Sequence, residues 1–299
     1  HDDPWEIGKN GYGEVAILGD IKTTMPYIND QIRRHPAHDQ PAADARSQRL
    51  RELAAKRDDL FRAFAEGLQR ANAARLAAAS GPPPAIQGSQ VVKLLGEIEA
   101  EENLPLVYVH EAISDAQYFQ QYLQYHSPSS YYSVEGGSLG YSMPASLGIK
   151  LAVGNDNIVI NAVGDGSSLF YPQVWWTAAK FNLPILTIIM NNREYKTLLS
   201  GLEQITQLYD WKPTGDPWYL YLHEPHLTFP EIAASFGVNQ GAVVSDPAKL
   251  KDALKTAIAV VQGGSPYVLE VRTDPSLAPP TNVPAPRLDV LFAARSGQL

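Results

Sequence analysis

Between Ile86 and Asp274 short, mainly apolar runs alternate with longer stretches whose apolar residues recur at helical spacing. The runs are Leu106–Val109, Ile158–Val163, Ile185–Met190, Ala242–Ser245 and Tyr267–Arg272. A strand that is apolar throughout, rather than at every second residue, is buried on both faces. Such strands alternating with helices predict an α/β fold, a parallel sheet covered by helices on both faces. The intervening helices are expected over Ser89–Glu102, Ser114–Tyr125, Ala145–Val153, Ser168–Asn182, Tyr195–Gln204, Pro230–Phe236 and Ala248–Gln262. Ligands of such sheets sit at the carboxyl ends of the strands.

This unit, residues 86–275, does not fill the 299-residue chain. Residues 1–35 read as the end of another domain, with a short strand over Val15–Asp20 and a helix over Thr23–Arg34. One strand and one helix cannot bury a core by themselves. Residues 36–85 are bracketed by prolines and read as a helical arm, with Leu53, Leu60, Phe64 and Leu68 at helical spacing. Residues 276–299 carry four prolines in their first half and read as a surface extension.

Composition narrows the function classes. A net charge of −8 gives no basic footprint for nucleic acid or an acidic membrane surface. The absence of cysteine removes disulfides, thiolate metal sites and thiol nucleophiles. No apolar run approaches the length of a membrane span, and the polar first residues lack a secretory apolar region. A soluble, cytoplasmic protein is expected.

Two loops carry the chemistry. Gly164-Asp165-Gly166-Ser167 follows one apolar run, and Asn191-Asn192 ends the next. Strands joined by a right-handed crossover present their carboxyl ends on one edge of the sheet. Asp165 and Asn192 are therefore expected to face one cation, and a hard cation such as Mg²⁺ takes oxygen ligands that it shares with phosphate. Gly164 and Gly166 would let the backbone approach the phosphates, and the helix after Ser167 would aim its N-terminal N–H groups at them. Each half alone reads most simply as a turn; their combination in a strand–helix–strand frame is what points to a site.

The motif Gly164-Asp165-Gly166…Asn191-Asn192 resembles the signature of thiamine diphosphate (ThDP) enzymes of the 2-oxoacid decarboxylase and acetolactate synthase superfamily. Further stretches are most similar to its benzoylformate decarboxylase branch: Ser130-Tyr131-Tyr132, Gly136-Gly137-Ser138-Leu139-Gly140-Tyr141-Ser142-Met143-Pro144, Trp176-Thr177-Ala178-Ala179, and Tyr195 after Asn192. Asp3-Pro4-Trp5-Glu6-Ile7-Gly8-Lys9-Asn10 resembles the end of the family's middle domain. The resemblance implies that residues 86–275 are the pyrophosphate-binding domain. It implies that Asp165 and Asn192 bind Mg²⁺ through side chains and Glu194 through its carbonyl, and that Ser114, Gly166 and Ser167 contact the diphosphate. It implies that Gly137 and Leu139 hold the pyrimidine. Leu139 would bend the cofactor so that its own amino group acts as the base. His110, ending a strand beside this region, is a candidate proton carrier or a structural residue. His223 and His226, separated by Glu224 and Pro225, are expected to be solvated rather than to hold a metal.

Departures are informative. Ile113 stands where the benzoylformate decarboxylase branch has a phosphate-side Thr. Lys196-Thr197-Leu198 replaces Gly-Ala-Leu, and Gly201 replaces an aromatic. Thr197, Leu198 and Gly201 are thus expected to shape a pocket for a 2-oxo acid bulkier or more polar than benzoylformate. The family's activating Glu belongs to a pyrimidine-binding domain that is not recognisable here, so a partner chain or fragment carrying that domain, and a homo- or hetero-oligomer such as a dimer of dimers, are implied. The activities left open are decarboxylation or carboligation, an acetolactate synthase-like or 2-hydroxyacyl-CoA lyase reaction, and a catalytically silent ThDP-binding subunit.

Overall fold

The computed structural model describes residues 17–53, 55, 56, 59, 86–123, 125, 129–133, 137–211 and 215–274. They belong to two separate compact units.

In the first unit, helix α1 (Ile21–Arg34) opens on an Asp20 cap whose carboxylate accepts from Thr23 N at 3.0 Å. That cap corrects the expected strand over Val15–Asp20: residues 17–20 form no strand, because Asp20 is spent starting the helix. Val15 and Ala16 lie outside the described residues. The expected arm is helical over 40–53, while Leu60, Phe64 and Leu68, like the proline-rich tail, lie outside the described residues.

The second unit is a six-stranded, all-parallel sheet: β1 (Leu106–Glu111), β2 (Tyr131–Ser133), β3 (Ile158–Gly164), β4 (Ile185–Asn191), β5 (Gly241–Val244) and β6 (Tyr267–Arg272). Their spatial order is β2-β1-β3-β4-β6-β5. The interior strands β1, β3, β4 and β6 are buried almost without a break, which is why they read as continuous apolar runs. Val107, Val109, Val159, Val163, Ile185 and Ile189 pack under α4 (Ser142–Val153), α6 (Val174–Lys180) and α8 (Phe229–Ser235). Alternate strand residues face the other way, where α9 (Leu250–Gln262) crosses β6, β4 and β3 and packs against α2 (Gly88–Glu102). Burying a Leu, Ile or Val side chain is worth about 1.5–3 kcal/mol, so the two layers hold the strand ends firmly.

Two expected helices are corrected. The stretch Ser168–Asn182 is not one helix. A single turn, α5 (Asp165–Ser168), ends before Pro172, and α6 starts only at Val174. Pro172 has no N–H and pushes the residue before it out of the helical region. The second, expected to run to Tyr125, begins as a 3-10 turn (Ile113–Asp115), continues as α3 (Ala116–Tyr122) and stops at Leu123, with the Tyr125 hydroxyl folded back onto the Phe119 carbonyl at 2.8 Å. From β1 the chain adds β2 on one side of it and β3 on the other, so the crevice at the carboxyl ends of β1 and β3 is the switch point where ligands of such sheets bind.

Candidate active site

A cleft of about 310 Å³ opens at that crevice. It gathers residues from four chain segments: Glu111 to Asp115 after β1, Gly137 and Leu139, Gly164 to Ser167 after β3, and Met190 to Leu198 around the end of β4. Of the expected site residues, Ser114, Gly137, Leu139, Asp165, Gly166, Ser167, Asn192, Glu194, Thr197 and Leu198 all line it.

Asp165 is 3% exposed. Its Oδ1 accepts from Gly166 N at 2.9 Å and its Oδ2 from Arg193 N at 2.7 Å, so the β3 and β4 loops are tied together through one carboxylate. Burial pushes its pKa up to about 7, against the lowering effect of those bonds. Asn192 Oδ1 accepts from Glu194 N at 3.0 Å, closing a turn that puts Arg193 at φ +62°. A non-glycine residue there costs on the order of 1–3 kcal/mol, and the bond from Arg193 N to Asp165 holds it. Glu194 pairs with Tyr221 as an isolated bridge, with bonds from Tyr195 N to Leu220 O and Leu222 N to Arg193 O on either side. In such a pair the middle residue turns its own N–H and C=O away from the partner segment.

These groups fit a hard divalent cation. A carboxylate has about four acceptor positions, and Asp165 has two committed to backbone. The amide oxygen of Asn192 and the Glu194 carbonyl complete a set of oxygen donors. A carboxylate raised by burial is one that a bound cation would return to its charged form. Among the described residues there is no cluster of three or more His, Cys, Asp or Glu.

Gly166 has a packing reason beside the expected one. A Cβ there would stand 2.4 Å from the Tyr195 ring, so the glycine also makes room for Tyr195. The expected helix N-terminus after Ser167 is also corrected, since α5 is a single turn.

Sequence reasoning passed over Glu111 and Asp115. Glu111 is fully buried at the end of β1 and accepts from Gly140 N and, at 2.7 Å, from Ser142 N. It thereby fastens the segment that carries Leu139. Asp115 lines the cleft, and burial, then the Asp165 charge, push its pKa up to about 7. The signal for both was a lone acid just after an apolar strand. Lys196 also lines the cleft, its Nζ 3.3 Å from Glu194 Oε1.

Two expected residues are not at the cleft. His110 is 3% exposed, stacked on Phe119 with ring centroids 4.5 Å apart, and burial holds its pKa down at about 4. It alternates away from the cleft, whose lining includes Glu111 but not His110, and packs in the core, as a structural residue would. Gly201 lies in α7 (Lys196–Leu208), outside the cleft lining, and a Cβ there meets nothing within 4 Å. His223 and His226 are exposed; His226 Nε2 is 3.0 Å from an Arg272 guanidinium nitrogen.

Residues 113–271 match the family described as thiamine pyrophosphate enzyme, C-terminal TPP binding domain. The chain belongs to this family. The matched domain binds thiamine diphosphate, and it begins at the cleft's Ile113 and ends one residue before the end of β6. The chain is 28% identical over 273 residues to a benzoylformate decarboxylase of Pseudomonas aeruginosa, covering 91% of this chain and 42% of that protein. It is 26% identical over 290 residues to a probable acetolactate synthase large subunit of Methanocaldococcus jannaschii, covering 96% and 43%. A solved structure, the thiamine diphosphate-dependent 4-hydroxybenzoylformate decarboxylase of Rhodococcus jostii RHA1, superposes with a TM-score of 0.54 at 29% identity over 66% of this chain and 34% of that one. The chain thus spans less than half the length of these relatives. Among the described residues no helix is long and apolar enough to cross a membrane.

Proposed function

We propose that this chain supplies the diphosphate- and Mg²⁺-binding half of an active site that decarboxylates a 2-oxo acid, alone or coupled to carboligation. The observation that carries this reading is the convergence of Asp165, Asn192, Glu194, Gly166 and Ser167 on one cleft at the switch point of the sheet. Asp165 and Asn192 would hold the cation through side-chain oxygens and Glu194 through its carbonyl. Ser114, Gly166 and Ser167 would meet the diphosphate. Glu111 fixes the backbone on which Leu139 and Gly137 would support the pyrimidine and the bend of the cofactor. When bound, the cofactor supplies the nucleophilic carbon and the electron sink that decarboxylation needs. Leu198, beside the metal loop, would meet the substrate.

The carboxylate that activates the pyrimidine would come from a pyrimidine-binding domain on a partner chain or fragment. Assembly of both halves into a symmetric oligomer follows from a site shared in this way. A synthase reaction is the second reading, favoured by the acetolactate synthase relative that matches 96% of the chain. A silent subunit is disfavoured because Asp165, Asn192 and Glu194, the residues proposed to hold the cation, all line the cleft.

The test is Asp165→Ala in the 299-residue chain, titrated with ThDP at fixed Mg²⁺. Removing groups that merely support metal ligands costs 10–100-fold in affinity. Loss of a ligand is expected to cost more than about 100-fold, with the circular dichroism of the fold retained. Unchanged ThDP affinity and Mg²⁺ dependence in this variant would rule out the assignment.

A further inference from the structure

The Ser114 and Thr197 hydroxyl oxygens lie 3.2 Å apart. They come from different walls of the cleft: Ser114 from the 3-10 turn after β1, Thr197 from the first turn of α7, and both line it. We propose that Thr197 is a positioning residue for the diphosphate, orienting the Ser114 hydroxyl toward it, rather than part of the substrate pocket. The proposal rests on the functional reading above.

The argument is one of proton count. A serine hydroxyl has one proton to donate and two lone pairs to accept with. If Ser114 gave its proton to Thr197, it would have none for an anion. If Thr197 donates, the Ser114 proton is left for a phosphate oxygen and is polarised by the bond it accepts. An anion in the cleft selects the second arrangement. The neighbour of Ser114 makes that proton count for more, since Ile113 offers no hydroxyl. Thr197 is also the second residue of a 13-residue helix whose N-terminal end opens on the same cleft, where the helix dipole favours negative charge. Lys196, beside it, is paired with Glu194.

The experiment compares the 299-residue wild type with Thr197→Val and Thr197→Ser, measuring calorimetric affinity for inorganic diphosphate with Mg²⁺ and for ThDP with Mg²⁺. Valine keeps the shape and removes the hydroxyl; serine keeps the hydroxyl. Thr197→Val should weaken both ligands about 3–10-fold, the size of one hydrogen bond's net worth, and Thr197→Ser should stay within about twofold of wild type. Thr197 is exposed, so melting without ligand should move little in either variant. Equal affinity of Thr197→Val and wild type would overturn the proposal while leaving the ThDP reading standing. So would equal losses in the valine and serine variants, which would show that shape and not the hydroxyl matters. A wild-type chain that binds neither ligand would sink the ThDP reading, and this proposal with it.

Discussion

Two walls face the same cleft and are built in opposite ways. The strand-end wall presents Glu111 at 0% exposure and Asp165 at 3%, each carboxylate held by two backbone N–H groups. The α7 wall is a 13-residue helix with no buried residue, and its apolar Leu198, Ile205 and Leu208 are 53%, 51% and 75% exposed. A group held by buried backbone bonds cannot move without leaving donors unpaired in a dry place, which costs about 1–3 kcal/mol each. A helix held mainly at its first turn can shift at little cost. The difference suits a fixed cofactor on one wall and an adaptable substrate on the other.

The strongest way to break this comparison is Glu111→Gln. The substitution keeps volume but turns one acceptor oxygen into a donor facing Gly140 N or Ser142 N. Two hydrogen bonds to a fully buried side chain are lost or weakened. A stability loss of about 2–4 kcal/mol is expected in urea unfolding, with a weaker grip on ThDP because the Leu139 segment is released. A loss under about 0.5 kcal/mol would mean that the strand-end wall is no more rigid than α7.

The second test uses pH. The folded chain keeps His110 neutral, its pKa lowered to about 4 by burial, whereas an unfolded chain protonates it near 6.5. Its contribution is therefore fully present above about pH 6.5 and is lost as pH falls toward 4. The lowering corresponds to at most about 3 kcal/mol. His110→Phe, which keeps a ring against Phe119, should lose less stability than wild type between pH 7 and 4.5. Parallel pH profiles for the two proteins would show that His110 is not held neutral.

The contrast between the walls also explains what was readable beforehand. The interior strands were legible because burial on both faces leaves few polar residues in the run, as in Ile185–Met190, where Thr187 is the one polar residue. The motif was legible because glycines and a carboxylate at a strand end serve the fold poorly without a ligand. β2 was not, because it is a three-residue edge strand of half-buried residues with no period to read. Nor was the break at Pro172, where a proline two residues before α6 looks the same as one inside a helix's first turn. Glu111 and Asp115 escaped because a single acid carries no pattern; only the fold shows what it is bonded to. Thr197 was read as substrate-facing from its place on α7, and the hydroxyl opposite it could not be seen from a residue 83 positions away in sequence.

The smallest expected effect sharpens the comparison at its loose end. Gly201 sits in the interior of α7, where glycine costs about 1 kcal/mol relative to alanine because of the backbone freedom it surrenders. A Cβ at this position meets nothing within 4 Å, and its φ is not in the left-handed region. Gly201→Ala should therefore stabilise the chain by about 0.5–1 kcal/mol, read as a shift of the urea midpoint at unchanged slope. Affinity for ThDP and Mg²⁺ should not change, because Gly201 lies outside the cleft lining. Gly201→Phe, the bulk first expected to narrow a pocket here, would project from the same open position. If the helix is as free as its exposure indicates, the range of 2-oxo acids accepted by the assembled enzyme will be that of the wild type. A narrowed range with unchanged stability would instead place residue 201 against bound substrate, and would mean that α7 closes on the cleft when the site is complete.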